Sequence, residues 1–178
     1  MTAARLRTVV RVDHKGWCGQ VPDTTQFTRK AAQSGWAIGR RSLATSHPLA
    51  KKKLPGPIEI NVLLSDNAAV KSLNRDHLGK DKPTNVLSFP GDTSPAFQGA
   101  GILLGDIILA WQTVEKEARR AEKPVAEHLA HLVIHGVLHL LGYDHEHEDD
   151  AAVMEGLEVD CMARLGFSDP YATNDKTP

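Results

Sequence analysis

At 178 residues, with 41% hydrophobic and 24% charged side chains, the chain has the composition of one globular domain with a substantial core, and not of a disordered or fibrous protein. Its formal net charge of −1 supplies no overall field towards nucleic acid or an anionic membrane, so a polyanionic partner must be held by a local patch. The two cysteines, Cys18 and Cys161, lie far apart in sequence, which argues against a disulfide framework, a thiolate metal site and a C-x-x-C redox pair.

The N-terminal MTAARLRTVVRVDHKGW never offers the about 7–15 apolar positions of a signal peptide, and no stretch approaches the ~20 that span a bilayer. A cytoplasmic protein with reduced thiols is expected. Leu6–Val12 alternates apolar with basic residues and contains β-branched ones, which predicts an edge-type strand. A helix is predicted over about 25–38, capped by Thr24 or Thr25. Between Arg40 and Pro57, a basic run at Lys51, Lys52 and Lys53 sits among prolines and serines and reads as a surface connection. IEINVLL at 58–64 predicts a strand, followed by a helix to about residue 76 with Ser65 or Asp66 as its cap. GKDKPT is turn chemistry. VLSF is a short strand, a Gly/Pro/Ser-rich loop follows, and ILLGDIILA is an apolar strand; the two strands are expected to pair as a hairpin. Thr113 is expected to cap a charged helix to residue 122, and Pro124 to occupy the first turn of the next one.

That next helix, PVAEHLAHLVIHGVLHLLG, is apolar nearly all round, which implies burial. At roughly 100° per residue, His128, His131, His135 and His139 nevertheless fall within about 60° of one another, a row of imidazoles on one face. Gly142 ends the helix, and Glu148, Asp149 and Asp150 start a last one through about residue 165. Strands and helices come mixed without strict alternation, so the expected class is α+β, a single domain with a small mixed sheet covered by the histidine helix.

The chemistry concentrates in His135-Gly-Val-Leu-His139-Leu-Leu-Gly142-Tyr-Asp-His145. Side chains four apart on a helix project side by side, with Cβ atoms roughly 5–6 Å apart, so His135 and His139 can converge on one ion. A left-handed Gly142 reverses the chain and brings His145 back beneath them. Three neutral imidazoles leave the fourth tetrahedral position to water, the layout of a catalytic zinc site. His147 is a weaker third ligand, and Asp144 is a candidate to orient a ligand or to accept a proton. The spacing is that of the metzincin pattern H-E-x-x-H-x-x-G-x-x-H, with Gly136 in the glutamate's place. Peptide hydrolysis needs that base, whereas phosphodiester cleavage leans more on charge stabilisation and positioning, so a conventional metalloprotease is disfavoured.

With LNRDHLGKDKPTNVLSFP, LLGDIILA, HGVLHLLGYDHEHEDD and MEGLEVDCMARLGFSDPY, the chain resembles the bacterial YbeY family of zinc-dependent endoribonucleases over about residues 58–171. The resemblance implies His135, His139 and His145 as ligands of one zinc ion. It also implies single-stranded RNA as substrate, notably precursor ribosomal RNA near the small-subunit 3′ end, and a role in ribosome assembly and quality control with the small subunit or assembly factors as partners. Asn85 stands where aspartate is common in the family, and Leu78 stands where the family typically carries an arginine before the glycine of G-K-D-K-P-T. Leucine cannot bind phosphate, and Arg75, one helical turn earlier, is the candidate to supply the missing catalytic charge together with Lys80 or Lys82.

The expected organisation is residues 1–57 as a strand, helix and variable connection of the same domain, 58–171 as the metal-dependent core, and 172–178 as a disordered tail. The expected function is a single-strand-specific endoribonuclease. Its rivals are a divergent metallopeptidase and a ribosome-assembly binding factor with a structural zinc.

Overall fold

Four strands form one mixed sheet in the order β1-β2-β4-β3, with β1 at Leu6–Val12, β2 at Ile58–Ser65, β3 at Val86–Pro90 and β4 at Ile102–Ala110. β1, β2 and β4 run parallel, while β3 pairs antiparallel with β4. The strand at 6–12 therefore lies at an edge and the β3–β4 hairpin is present, both as the sequence predicts. This computed structural model describes residues 6–50, 56–91 and 101–172; the basic run at Lys51, Lys52 and Lys53, most of the Gly/Pro/Ser-rich loop and the tail beyond Ala172 lie outside them.

Period-two alternation gives the sheet two different faces. Ile58, Ile60, Val62 and Leu64 of β2, with Ile107 and Leu109 of β4, point into the main core. Leu63 and Ile108, their neighbours in sequence, point the other way and meet Val70 and Leu73 of helix α3 (Asn67–Leu78) in a smaller cluster. The main core is closed by α2 (Thr24–Ser42), α5 (Val125–Leu140) and α6 (Glu148–Arg164). A short α1 (Gly16–Gln20) and α4 (Trp111–Arg120) complete the fold.

Local chemistry sets the helix ends. Asp66 caps α3 by accepting from the Ala69 N–H at 2.9 Å, the cap expected from sequence. α2 outruns its predicted end because Arg40 donates to the Leu49 carbonyl at 2.7 Å and lies over the Trp36 ring, contacts that an apolar period does not reveal. α4 starts at Trp111, before the predicted Thr113 cap. β4 runs directly into it because the buried Trp111 ring packs edge-on against Trp17, with ring centroids 5.0 Å apart. Thr113 instead donates its hydroxyl to Asn67, tying α4 to α3. Both cysteines are free; Cys161 is buried in the core, and burial pushes its thiol up to about 12.

Gly136 sets the distance between α5 and the sheet. A Cβ at this position would stand 2.9 Å from Ile107 Cγ2 and 3.0 Å from Ser88 Oγ, so only glycine lets the helix lie this close to β3 and β4. Position 136 therefore points into the sheet and away from the histidine row.

Candidate metal centre

From Leu129 to Leu140 every residue of α5 is buried except His131, His135 and His139, which form its one partly exposed stripe. The helix is hydrophobic enough to be driven into the core on all other sides, and the imidazoles keep the remaining side open. Its C-terminus closes in a Schellman arrangement: the Gly142 N–H donates to His139 O at 2.9 Å, and the Tyr143 N–H donates to Leu138 O at 3.1 Å. Gly142 adopts φ +93°, the left-handed conformation expected of it. The Tyr143 hydroxyl donates to Gly39 O at 2.8 Å, anchoring the reversed chain on α2. His145 then lies over the stripe, its ring centroid 5.3 Å from that of His135 and 5.0 Å from that of His139.

Hydrogen bonds to the far side of two rings decide which nitrogen faces the other histidines. Nδ1 of His135 lies 2.7 Å from Glu158 Oε1, and Nδ1 of His139 lies 3.0 Å from the Tyr143 carbonyl. A carboxylate and a carbonyl only accept, so each Nδ1 carries the hydrogen, and the neutral form of each ring turns a lone pair outward on Nε2. The two Nε2 atoms stand 3.0 Å apart. Two lone pairs at this spacing repel each other, and a shared cation removes the conflict. Nitrogens bound at ~2.0–2.1 Å to a tetrahedral ion lie roughly 3.3 Å from each other, so His135 and His139 need little adjustment. The ligand atoms of His135, His139 and His145 all fall within 4.8 Å of one another, and the exposed loop position of His145 lets it close the remainder. Burial first, and then the neighbouring His135, hold the His139 imidazole below its usual range and favour the neutral form that binds metals. The donor set thus fits one metal ion.

Behind the row lies a carboxylate that sequence reading missed. Glu158 of α6 is 0% exposed; its Oε2 accepts from His131 Nε2 at 2.8 Å and from the Tyr171 hydroxyl, while Oε1 accepts from His135. Burial alone would raise this carboxyl, but hydrogen bonds from His131, His135 and Tyr171 overcome that and bring it down to about 2. A signal was present: Glu158 occupies a core-facing position among Met154, Leu157, Cys161 and Met162, where an acid needs buried partners. His128, at the start of the row, pairs instead with Glu117 of α4 at 2.8 Å, and Glu117 also accepts from Asn85 at 3.0 Å. His128 is therefore an ordinary hydrogen-bonded histidine outside the ligand group.

Asp144 is exposed beside the cage, and its Oδ1 accepts from the His145 N–H at 2.7 Å, fixing the backbone of that residue. His147 precedes α6 and is not part of the group whose ligand atoms converge. Arg75 is not brought to the histidines: α3 covers the sheet face opposite α5, and the guanidinium engages Asp76 at 2.9 Å and Ser72 at 3.2 Å within its own helix. Lys80 and Lys82 are exposed in the following turn, and Leu78, where the resemblance leads one to expect arginine, is 53% exposed.

Fold and histidine set together define a single-domain α+β protein that can hold one metal ion at the C-terminal end of a buried helix, in a zincin-like arrangement. The family model for endoribonuclease YbeY matches residues 37–166, and the chain belongs to that family. The endoribonuclease YbeY of Rhodospirillum rubrum is 46% identical over 160 residues, covering 88% of this chain and 76% of that protein. That of Paramagnetospirillum magneticum is 52% identical over 119 residues, covering 65% and 73% respectively. Among solved structures, TM1509 from Thermotoga maritima is 22% identical with a TM-score of 0.53, and the match covers 94% of this chain and 100% of that one; this likeness is one of fold. No helix among the described residues is long and apolar enough to cross a membrane.

Proposed function

We propose that the protein is a zinc-dependent, single-strand-specific endoribonuclease acting in ribosomal RNA maturation at the small-subunit 3′ end and in ribosome quality control. The observation that carries this reading is the pair of Nε2 lone pairs 3.0 Å apart, with His145 beside them, in a chain of the YbeY family. His135, His139 and His145 would hold the ion, and zinc so bound lowers the pKa of a water towards ~7 and polarises a phosphoryl oxygen. His135 and His139 present fixed donors because their far nitrogens are already engaged, so binding requires no change of tautomer. With few aromatic residues to stack on bases, the chain favours recognition of RNA by backbone and shape, through local basic residues, over base reading. The cytoplasm and the ribosomal small subunit are the proposed setting. A metallopeptidase is not favoured, since position 136 faces Ile107 and Ser88. The test is cleavage of single-stranded and duplex RNA of one sequence by purified protein before chelation, after it and after zinc is restored. Chelator-sensitive cutting of the single strand alone is expected, and a precursor ribosomal RNA should be cut near its 3′ end. RNA cutting that is indifferent to chelation refutes the proposal.

Asp144 is the proposed proton acceptor, being the acid next to His145. Asp144→Asn keeps an oxygen for the His145 N–H and removes the basicity, so zinc content should be unchanged while cleavage falls about 100-fold or more, as for loss of a general base. Normal cleavage by this variant removes Asp144 from the mechanism. Arg75, Lys80 and Lys82 are proposed to follow the RNA backbone away from the reacting phosphate. Arg75→Ala should then leave zinc binding intact and lower cleavage less than about tenfold, in keeping with loss of one exposed backbone contact. A loss comparable to that of a metal ligand would instead put Arg75 at the reacting phosphate.

A further inference from the structure

We propose that Glu158, His131 and Tyr171 form a positioning clamp for His135, through which the segment after α6 sets how tightly the site holds its metal ion. The inference rests on the reading of His135, His139 and His145 as a metal site, and extends it to three residues outside the ligand set.

His135 and His139 are oriented by different means. His139 is held by the backbone carbonyl of Tyr143 in its own helix-ending turn, a contact of local origin. His135 is held by a side chain from another element, the Glu158 carboxylate. That carboxylate is fully buried and receives three donors: His135 on Oε1, and His131 and the Tyr171 hydroxyl on Oε2. A buried acceptor fixed from both oxygens cannot rotate to follow a wandering ring, so the direction of its bond to Nδ1 fixes the plane of His135 and hence the aim of Nε2.

Tyr171 lies beyond α6, yet it is built into this arrangement. Its ring stands edge-on to His131 with centroids 5.6 Å apart, its N–H donates to Asp169 Oδ1 at 2.8 Å, and Lys123 Nζ donates to the neighbouring Pro170 carbonyl at 3.0 Å. The segment is thus fastened back across the start of α5, and its hydroxyl completes the coordination of the carboxylate that aims a ligand. Glu158→Gln offers one accepting oxygen where three donors need acceptance, and it removes the negative charge that favours a cation next to His135. Tyr171→Phe keeps the ring against His131 and deletes only the donor.

The test is zinc affinity of the full chain, measured by chelator competition for wild type, Glu158→Gln, Tyr171→Phe and His139→Ala, with cobalt absorption spectra and melting curves of the metal-free forms alongside. Glu158→Gln is expected to weaken zinc about 10–100-fold and Tyr171→Phe to weaken it in the same direction by about tenfold or less, both with altered cobalt bands. A merely structural role would lower metal-free melting while leaving zinc affinity and cobalt bands at wild-type values, and that result overturns the clamp. Should Glu158→Gln not fold, the partly exposed Tyr171 carries the test alone, with unchanged affinity in Tyr171→Phe as the refuting result. Loss of zinc in His139→Ala alone, with both clamp variants at wild-type affinity, discards the clamp and leaves the metal site standing. A wild type that binds no zinc removes the site and the clamp together.

Discussion

Replacing His139 with alanine is expected to abolish zinc binding at micromolar metal and to lower RNA cleavage by about 1000-fold or more. His139 supplies one of the two Nε2 lone pairs that stand 3.0 Å apart, and without it the cage retains His135 and a loop histidine. Losing the ion removes charge stabilisation worth several kcal/mol, and about 4 kcal/mol corresponds to three orders of magnitude in rate. The fold should survive. His139 lies on the open stripe of α5, where truncation leaves no sealed cavity, and alanine is the strongest helix former. The measurements are zinc content, cleavage of single-stranded RNA and the melting curve of the metal-free protein. Unfolding together with loss of binding would favour a purely structural ion, and undiminished cleavage by a zinc-free variant would end the hydrolytic reading.

The second large effect is expected at Gly136, where glutamate would complete the H-E-x-x-H signature of a peptidase. No peptidase activity should appear, and the protein should be destabilised by more than about 4 kcal/mol, enough to unfold many domains of this size. A Cβ at 136 already stands 2.9–3.0 Å from Ile107 and Ser88, and the carboxylate would follow it into the seam between α5 and the sheet, where an unpaired charge costs several kcal/mol. Gly136→Ala isolates the steric part. A gain of about 1 kcal/mol in helix propensity opposes an overpacking cost of roughly 1–3 kcal/mol, so a net loss of up to ~2 kcal/mol is expected in chemical denaturation. A stable Gly136→Glu protein would show that α5 can move away from the sheet and would reopen the peptidase reading.

Much of the fold was legible because its elements carry period and punctuation together. Leu6–Val12, the strand at 58–64, the Asp66 cap and the Gly142 stop each combine a hydrophobic pattern with a residue that ends it. Tertiary contacts hid the rest: Arg40 lengthens α2 through Leu49 and Trp36, and Trp111 draws the start of α4 back to the end of β4. The histidine cluster was legible for a similar reason, as helical spacing and one glycine turn relate the ligands locally. Its support was not. Glu158 and Tyr171 reach His131 and His135 only after α6 has packed and the chain has folded back. For Arg75, nearness in sequence to the G-K-D-K-P-T turn does not say which face of the sheet α3 will cover.

All three imidazole donors come from one short stretch, His135 to His145, so an ion held there cross-links no distant parts of the chain. The main core of strands and helices draws its residues from Leu6 through Met162 and closes over separations that the ion does not bridge. Capture of metal can therefore follow folding as a late, reversible step whose occupancy tracks the free metal available. A chain built this way can be complete in shape before any ion arrives.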